Sequence, residues 1–198
     1  MKVLAVIAHP KKDGLVRAAF DAVIDQLRRR GCVVDILDLY ERATEIPYYE
    51  FPADQNNPGS GLEKYPFFHE NKERFMSADR LIVAYPIWWY ATPGIMKNWL
   101  DCITNYAFSY NGTNRAVAKH SIKKVLIINT SDMSYLYKLC MTRNSGTEMM
   151  RQSFYFLGVE KTRALELSTR DFFGRKKKAL DYDKLTQQAS SAGLWLCS

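Results

Sequence analysis

The stretch Ala78-Asp79-Arg80-Leu81-Ile82-Val83-Ala84-Tyr85-Pro86-Ile87-Trp88-Trp89-Tyr90-Ala91-Thr92-Pro93-Gly94-Ile95-Met96-Lys97-Asn98-Trp99-Leu100-Asp101 decides how the chain folds. Leu81 to Pro86 is an unbroken apolar run of strand length, the pattern of a strand covered on both faces. Pro93-Gly94 opens a helix with proline in its first turn, where a missing N–H costs nothing. Between strand and helix stand Pro86, Ile87, Trp88, Trp89 and Tyr90. Consecutive side chains diverge, so these aromatics do not all face a core. They either line a cleft that takes a flat ligand or pack against the neighbouring helix, and the position at a strand end favours the cleft.

The same strand-then-helix unit recurs on either side. Residues 2–8 are a second continuous apolar run. Asp13-Gly14 marks a turn, and residues 15–30 place Leu15, Ala18, Ala19, Ala22, Val23 and Leu27 at helical spacing. Arg28-Arg29-Arg30 suits the end of that helix and Gly31 stops it. Residues 33–39 form a further strand, completing a βαβ unit. Towards the other end come a helix from 67 to 78, a strand from Lys124 to Thr130, a helix from 145 to 157, a strand within 159–167 and a closing helix from Asp181 to Leu196. Residues 41–66, which include Asn56-Asn57-Pro58-Gly59-Ser60-Gly61, read as a long surface excursion. Alternating strands and helices predict one α/β domain over residues 1–198: a doubly wound, five-stranded parallel sheet of order 2-1-3-4-5 with helices on both faces.

Ligands of such sheets bind beyond the carboxyl ends of the strands, near the switch in strand order. That rule selects three loops. The first contains His9, Gly14, Leu15, Val16 and Arg17 with Lys11 and Lys12 beside them. It reads either as an anion site at a helix N-terminus or as an ordinary turn with solvated lysines. The second is the aromatic loop above. The third, Asn129-Thr130-Ser131-Asp132 followed by Met133 to Tyr137, reads on its residues alone as a turn-rich connection.

Bulk properties narrow the remaining choices. At 198 residues and 47% hydrophobic, the chain can bury a full core and is too apolar to stay unfolded. No apolar run reaches the length of a membrane helix, and the apolar N-terminus lacks a cleavage site, so it reads as a strand and not a signal peptide. The net charge of +7 suits a ligand that carries phosphate as well as it suits nucleic acid. Against nucleic acid, the basic run Arg175-Lys176-Lys177-Lys178 lacks interleaved aromatics and reads as a solvated loop or an attractor of cofactor phosphates. Cys32, Cys102, Cys140 and Cys197 show no metal spacing and read as reduced thiols of an intracellular protein, which places the chain in the cytoplasm. His69 and His120 have no partner at metal spacing, so no metal site is expected.

Together, the opening strand with His9, Val34-Asp35-Ile36-Leu37-Asp38-Leu39-Tyr40, the stretch from Ala78 to Asp101 and Tyr106-Ala107-Phe108-Ser109-Tyr110 resemble the NAD(P)H:quinone oxidoreductase family of flavodoxin-like proteins. The likeness runs from residue 2 to about residue 158. It implies a flavodoxin-like fold and a homodimer with a flavin, FMN or FAD, at each subunit interface. It implies hydride transfer from NAD(P)H through that flavin to a quinone-like, azo or nitro acceptor. By position, His9 and Gly14 to Arg17 would hold the phosphate side of the cofactor, Pro86 to Tyr90 would flank its ring, and Asn129, Thr130, Ser131 and Asp132 would touch the ring's polar end. Tyr137 falls where the family stabilises charge on the reduced ring, and Arg143 stands where a histidine is often found. Phe108 and Tyr110 would line the acceptor slot, reaching across the dimer. Departures from the family pattern are Gly14 and Val16 in place of serine and asparagine, Ser131-Asp132 in place of a glycine pair, and Arg143. Asp132 would oppose reduction by like-charge repulsion. An ancillary flavin-binding subunit with little turnover of its own is the other reading. A small electron-transfer flavodoxin is disfavoured by the positive charge and the tryptophan loop.

Overall fold

The computed structural model describes residues 1–49, 61–113, 116–177 and 181–198. Thus Asn56 to Ser60 of the expected excursion, and Lys178 of the basic run, lie outside the described residues. Five parallel strands form the central sheet: β1 (Lys2–Ile7), β2 (Val33–Asp38), β3 (Arg80–Pro86), β6 (Lys124–Ser131) and β7 (Lys161–Ser168), in the order β2-β1-β3-β6-β7. This is the 2-1-3-4-5 order read from the alternation of apolar runs. The register places Ile7 beside Ala84, Ala84 beside Ile128, and Ile128 beside Leu165. The switch in order lies between β1 and β3, which run side by side from Val3–Arg80 to Ile7–Ala84.

The helices are α1 (Leu15–Arg29), α2 (Pro66–Met76), α3 (Gly94–Ala107), α4 (Tyr135–Cys140), α5 (Ser145–Phe156) and α6 (Tyr182–Cys197). Period two along the strands sends alternate residues to opposite cores. Leu81, Val83 and Tyr85 enter one, covered by α2, α3 and α5. Ile82 and Ala84 enter the other, covered by α1 and α6. Helix α1 shows why its sequence is helical: Val16, Ala19, Phe20, Val23, Ile24 and Leu27 make one buried stripe at three- and four-residue spacing. Two arginines in its last turn complement the dipole, and Gly31, at φ +75°, ends the element. On the other face, Asn71 of α2 donates to the Tyr106 hydroxyl (2.8 Å) and accepts from the Trp99 indole (2.9 Å), so the buried polar groups of α2 and α3 satisfy one another.

Two features depart from the sequence expectations. A short antiparallel hairpin, β4 (Phe108–Tyr110) with β5 (Ala116–Ala118), follows α3, and α4 lies within the loop after β6. Both are too short to show a period. His69 contacts the Glu63 carbonyl at 2.6 Å, and His120 contacts the Leu157 carbonyl at 3.0 Å. Among the described residues no helix is long and apolar enough to cross a membrane.

Candidate active site

The carboxyl ends of β1, β3 and β6 meet at one edge of the sheet. The Ala8 amide donates to Ala84 O at 2.8 Å, and the Ile87 amide donates to Thr130 O at 2.7 Å. The three candidate loops therefore leave adjacent strands side by side.

In the first loop the Lys11 amide donates to Nδ1 of half-buried His9 at 3.1 Å. Gly14 precedes α1 at φ +118° and ψ 176°, a region that side chains other than glycine's avoid. No side chain caps the helix and no acidic residue occupies its first turn. The leading amides of Leu15, Val16 and Arg17 are thereby left for an anion. Two of the cations nearby, Arg17 and Lys12, are engaged elsewhere. Arg17 pairs with the buried Asp38 carboxylate at 2.5 Å, and Lys12 reaches Asp38 at 3.1 Å and also Glu41. Burial raises the Asp38 pKa, and the bonds and charges of Lys12 and Arg17 outweigh it, so the carboxyl is held below its usual range. Arg17 thus contributes its backbone amide to the loop, while its guanidinium braces β2.

The second loop is a two-residue turn closed by Trp88 N–H to Ala91 O (2.9 Å) and Ala91 N–H to Trp88 O (3.0 Å). Its central residues, Trp89 at φ +49° and Tyr90 at φ +68°, are both left-handed. Such turns favour glycine and asparagine. Holding two aromatics there costs about 1–2 kcal/mol each, and the start of α5 supports the arrangement. Ser145 Oγ donates to Tyr90 O at 2.8 Å, the buried Tyr85 hydroxyl donates to Gly146 O at 2.9 Å, and a Cβ on Gly146 would press on Ile87 at 3.0 Å. Pro86 and Ile87 are buried, and the turn displays Trp88, Trp89 (93% exposed) and Tyr90.

In the third loop Asn129 is buried and donates to Thr147 Oγ1 at 2.9 Å, and Ser131 is buried beyond the half-buried Thr130. Ser134 caps α4 by accepting from the Tyr137 amide at 3.1 Å. The cap presents the Tyr137 hydroxyl 3.2 Å from that of Tyr90 and so bridges the second and third loops. That hydrogen bond raises the Tyr137 pKa. Asp132 is bound by Thr169 and by Arg170 (2.9 Å), which together hold its pKa low. The expected repulsion is therefore offset: the Asp132 charge has a guanidinium partner.

Five buried side-chain atoms lack a hydrogen-bond partner among the described residues, and four belong to this edge: Arg17 Nε, Thr92 Oγ1, Asn129 Oδ1 and Ser131 Oγ. Buried polar groups are almost always paired, so a cluster of orphans at three converging loops matches a polar ligand. Thr92 and Ser145 were missed in the sequence. Thr92 is a single residue before a proline, and Ser145 acts only through the folded turn.

Three expected residues stand apart. Arg143, at φ +47°, lines an open groove of about 1440 Å³ along the outer edge of β7 with Tyr135, Leu139 and Arg163. Tyr90 and Tyr137 are not among the residues that line that groove. Phe108 and Tyr110 lie at the opposite end of the sheet. Helix α3 descends about 21 Å from the aromatic loop before they begin. There Phe108 packs edge-on to Tyr110 (5.3 Å) and to Phe156 (5.0 Å) at the far end of α5.

Residues 1–191 match the family described as Flavodoxin-like fold. The chain is 25% identical over 189 residues to an uncharacterised NAD(P)H oxidoreductase of Escherichia coli, YcaK, covering 94% of each protein. It is 27% identical over 195 residues to an FMN-dependent NADH:quinone oxidoreductase of Coprothermobacter proteolyticus, covering 94% of this chain and 96% of that one. It spans about half the length of the mouse and human ribosyldihydronicotinamide dehydrogenases that it also matches. Among solved structures, an NAD(P)H:quinone oxidoreductase from Methanothermobacter marburgensis superposes with a TM-score of 0.71 at 21% identity, covering 98% of this chain and 94% of that one. By strand order, by switch point and by this match, the chain belongs to the flavodoxin-like family.

Proposed function

We propose that the chain is a flavin-dependent NAD(P)H oxidoreductase that binds FMN at the three-loop edge. The observation that carries this reading is the gathering of the orphaned buried polar atoms of Thr92, Asn129 and Ser131 beside an exposed aromatic turn at the switch point. The family relative named as FMN-dependent supports FMN over FAD. The amides of Leu15, Val16 and Arg17 receive the phosphate, because a helix start without a capping side chain offers donors and a positive dipole end. Trp88, Trp89 and Tyr90 flank the ring and keep water from one face. Thr92, Asn129 and Ser131 supply the polar contacts that their unpaired atoms require. The Tyr90–Tyr137 pair leaves one O–H free to donate, and that hydroxyl would offer a bound flavin a hydrogen-bond donor. When bound, the flavin supplies two-electron hydride transfer between NAD(P)H and a quinone-like, azo or nitro acceptor.

Phe108 and Tyr110 serve this site only from a second copy, since they occupy the other end of their own sheet. The working unit in this reading is accordingly a homodimer, acting in the cytoplasm. Mass spectrometry of cofactor released from purified protein tests the reading, together with NADH and NADPH oxidation in the presence of menadione. FMN in the released fraction and turnover above that of free FMN are expected. Bound FMN without turnover would favour the ancillary-subunit reading, and absence of flavin after reconstitution would overturn both.

A further inference from the structure

Cys32 and Cys197 are 165 positions apart, yet their Sγ atoms face each other at 3.6 Å. Cys32 lies in the short link between α1 and β2, just after Gly31, and Cys197 is the last residue of α6. Both are half-buried free thiols, within reach of a small reagent. They sit at the amino-terminal end of the sheet, opposite the three-loop edge. The end of α6 is seated there by Arg80, whose Nε donates to Leu196 O (3.1 Å), and by Lys124, whose Nζ donates to Trp195 O (3.1 Å). The two sulfurs thus meet across elements that are already fixed. Arg30 and Arg80 also place positive charge beside Cys197, which favours a thiolate there, although burial and the neighbouring thiol leave it less acidic than usual.

We propose that Cys32 and Cys197 form a reversible dithiol–disulfide modification site, oxidised by low-molecular-weight disulfides, that fastens α6 to the α1–β2 link. One cysteine, as its thiolate, attacks a sulfur of the small disulfide, forming a mixed disulfide and releasing one small thiolate. The second cysteine then loses its proton and attacks the protein sulfur of that mixed disulfide, releasing the second small thiolate. Two protein thiols are oxidised, one small disulfide is reduced to two thiols, and the exchange reverses in excess thiol. The closed loop would run from residue 32 to residue 197, a long loop whose closure takes much freedom from the unfolded state. Helix α6 supplies Leu185, Ala189, Ala192 and Leu196 to the core beneath it, so the clip secures that entire face.

The test titrates the full chain with mixtures of reduced and oxidised glutathione, followed by alkylation and peptide mass spectrometry. In oxidised glutathione Cys32 and Cys197 should both lose their reactivity as thiols in denaturant without retaining glutathione, whereas exposed Cys140, with no resolving partner, carries at most one glutathionyl group. One linked peptide pair should join Cys32 to Cys197, and the thermal midpoint should rise by about 10 °C. Cys32→Ser and Cys197→Ser should each abolish the link and the shift, whereas Cys102→Ser and Cys140→Ser should keep both. If either Ser variant fails to fold, Cys197→Ala supplies the same comparison. Four thiols surviving oxidised glutathione would overturn the proposal. So would an intermolecular link through Cys140 while Cys32 and Cys197 stay free, or a Cys32–Cys197 link that leaves the midpoint unmoved.

Discussion

At the scale of single residues, the site depends on hydroxyls and carboxylates whose partners are specific. Tyr137 and Tyr90 share one hydrogen bond across two loops. Removing either hydroxyl costs about 1 kcal/mol of orientation. Tyr137→Phe and Tyr90→Phe should therefore lower NAD(P)H-dependent turnover roughly 3- to 10-fold while leaving the FMN content of purified protein unchanged, as stopped-flow reduction and absorbance would show. Asp38 is the anchor of the first loop. Asp38→Asn leaves the poorly exposed Arg17 guanidinium without a counter-charge, and the expected loss is about 3 kcal/mol in denaturant unfolding. The acid limb of stability follows from the same chemistry. Both Asp38 and Glu166 are disfavoured by burial, but Lys12 and Arg17 in one case, and Asn144 and Lys138 in the other, bring the folded pKa below its usual value. Their contribution is complete above the unfolded carboxyl pKa of about 4. It drains away as pH falls through the lower folded values, and denaturant midpoints measured between pH 6 and 2 would trace it.

At the scale of elements, Asn71 is a polar latch between two helices. Asn71→Leu leaves the buried Trp99 indole and Tyr106 hydroxyl unpaired. It should cost about 2–4 kcal/mol, read as a lower thermal midpoint with the α/β circular-dichroism spectrum retained. Among the described residues, the five long strands and five of the six helices were legible because each buries a periodic or continuous apolar set, as Leu81 to Tyr85 and Val16 to Leu27 show. The β4–β5 hairpin was not legible, because three-residue strands such as Phe108-Ser109-Tyr110 offer no period to detect. Helix α4 was hidden for a related reason: Tyr135–Cys140 has six residues, only Lys138 of them buried, so its start is marked by the Ser134 cap and not by an apolar stripe. Within the site, the loops were legible as positions on the fold. The diversion of Arg17 to Asp38, of Asp132 to Arg170 and of Arg143 to the β7 groove was not, since each depends on which charges the folded chain brings together.

At the scale of the whole molecule, the separation of Phe108 and Tyr110 from the aromatic turn makes the oligomeric state a functional quantity. Light scattering should report twice the mass of one chain. Tyr110→Ala should raise the KM for menadione severalfold without changing FMN content, and a strictly monomeric, fully active protein would contradict the proposed arrangement. The sheet has a further consequence of its own. It acts as a bulkhead: Val23 and Met96 both belong to fully packed interiors, yet they lie in compartments divided by a layer of hydrogen-bonded backbone. Damage on one side has no route to the other through shared side-chain neighbours. The penalties of Val23→Ala and Met96→Ala should thus sum to within about 0.5 kcal/mol, and the chain can be rebuilt, by selection or by hand, one compartment at a time.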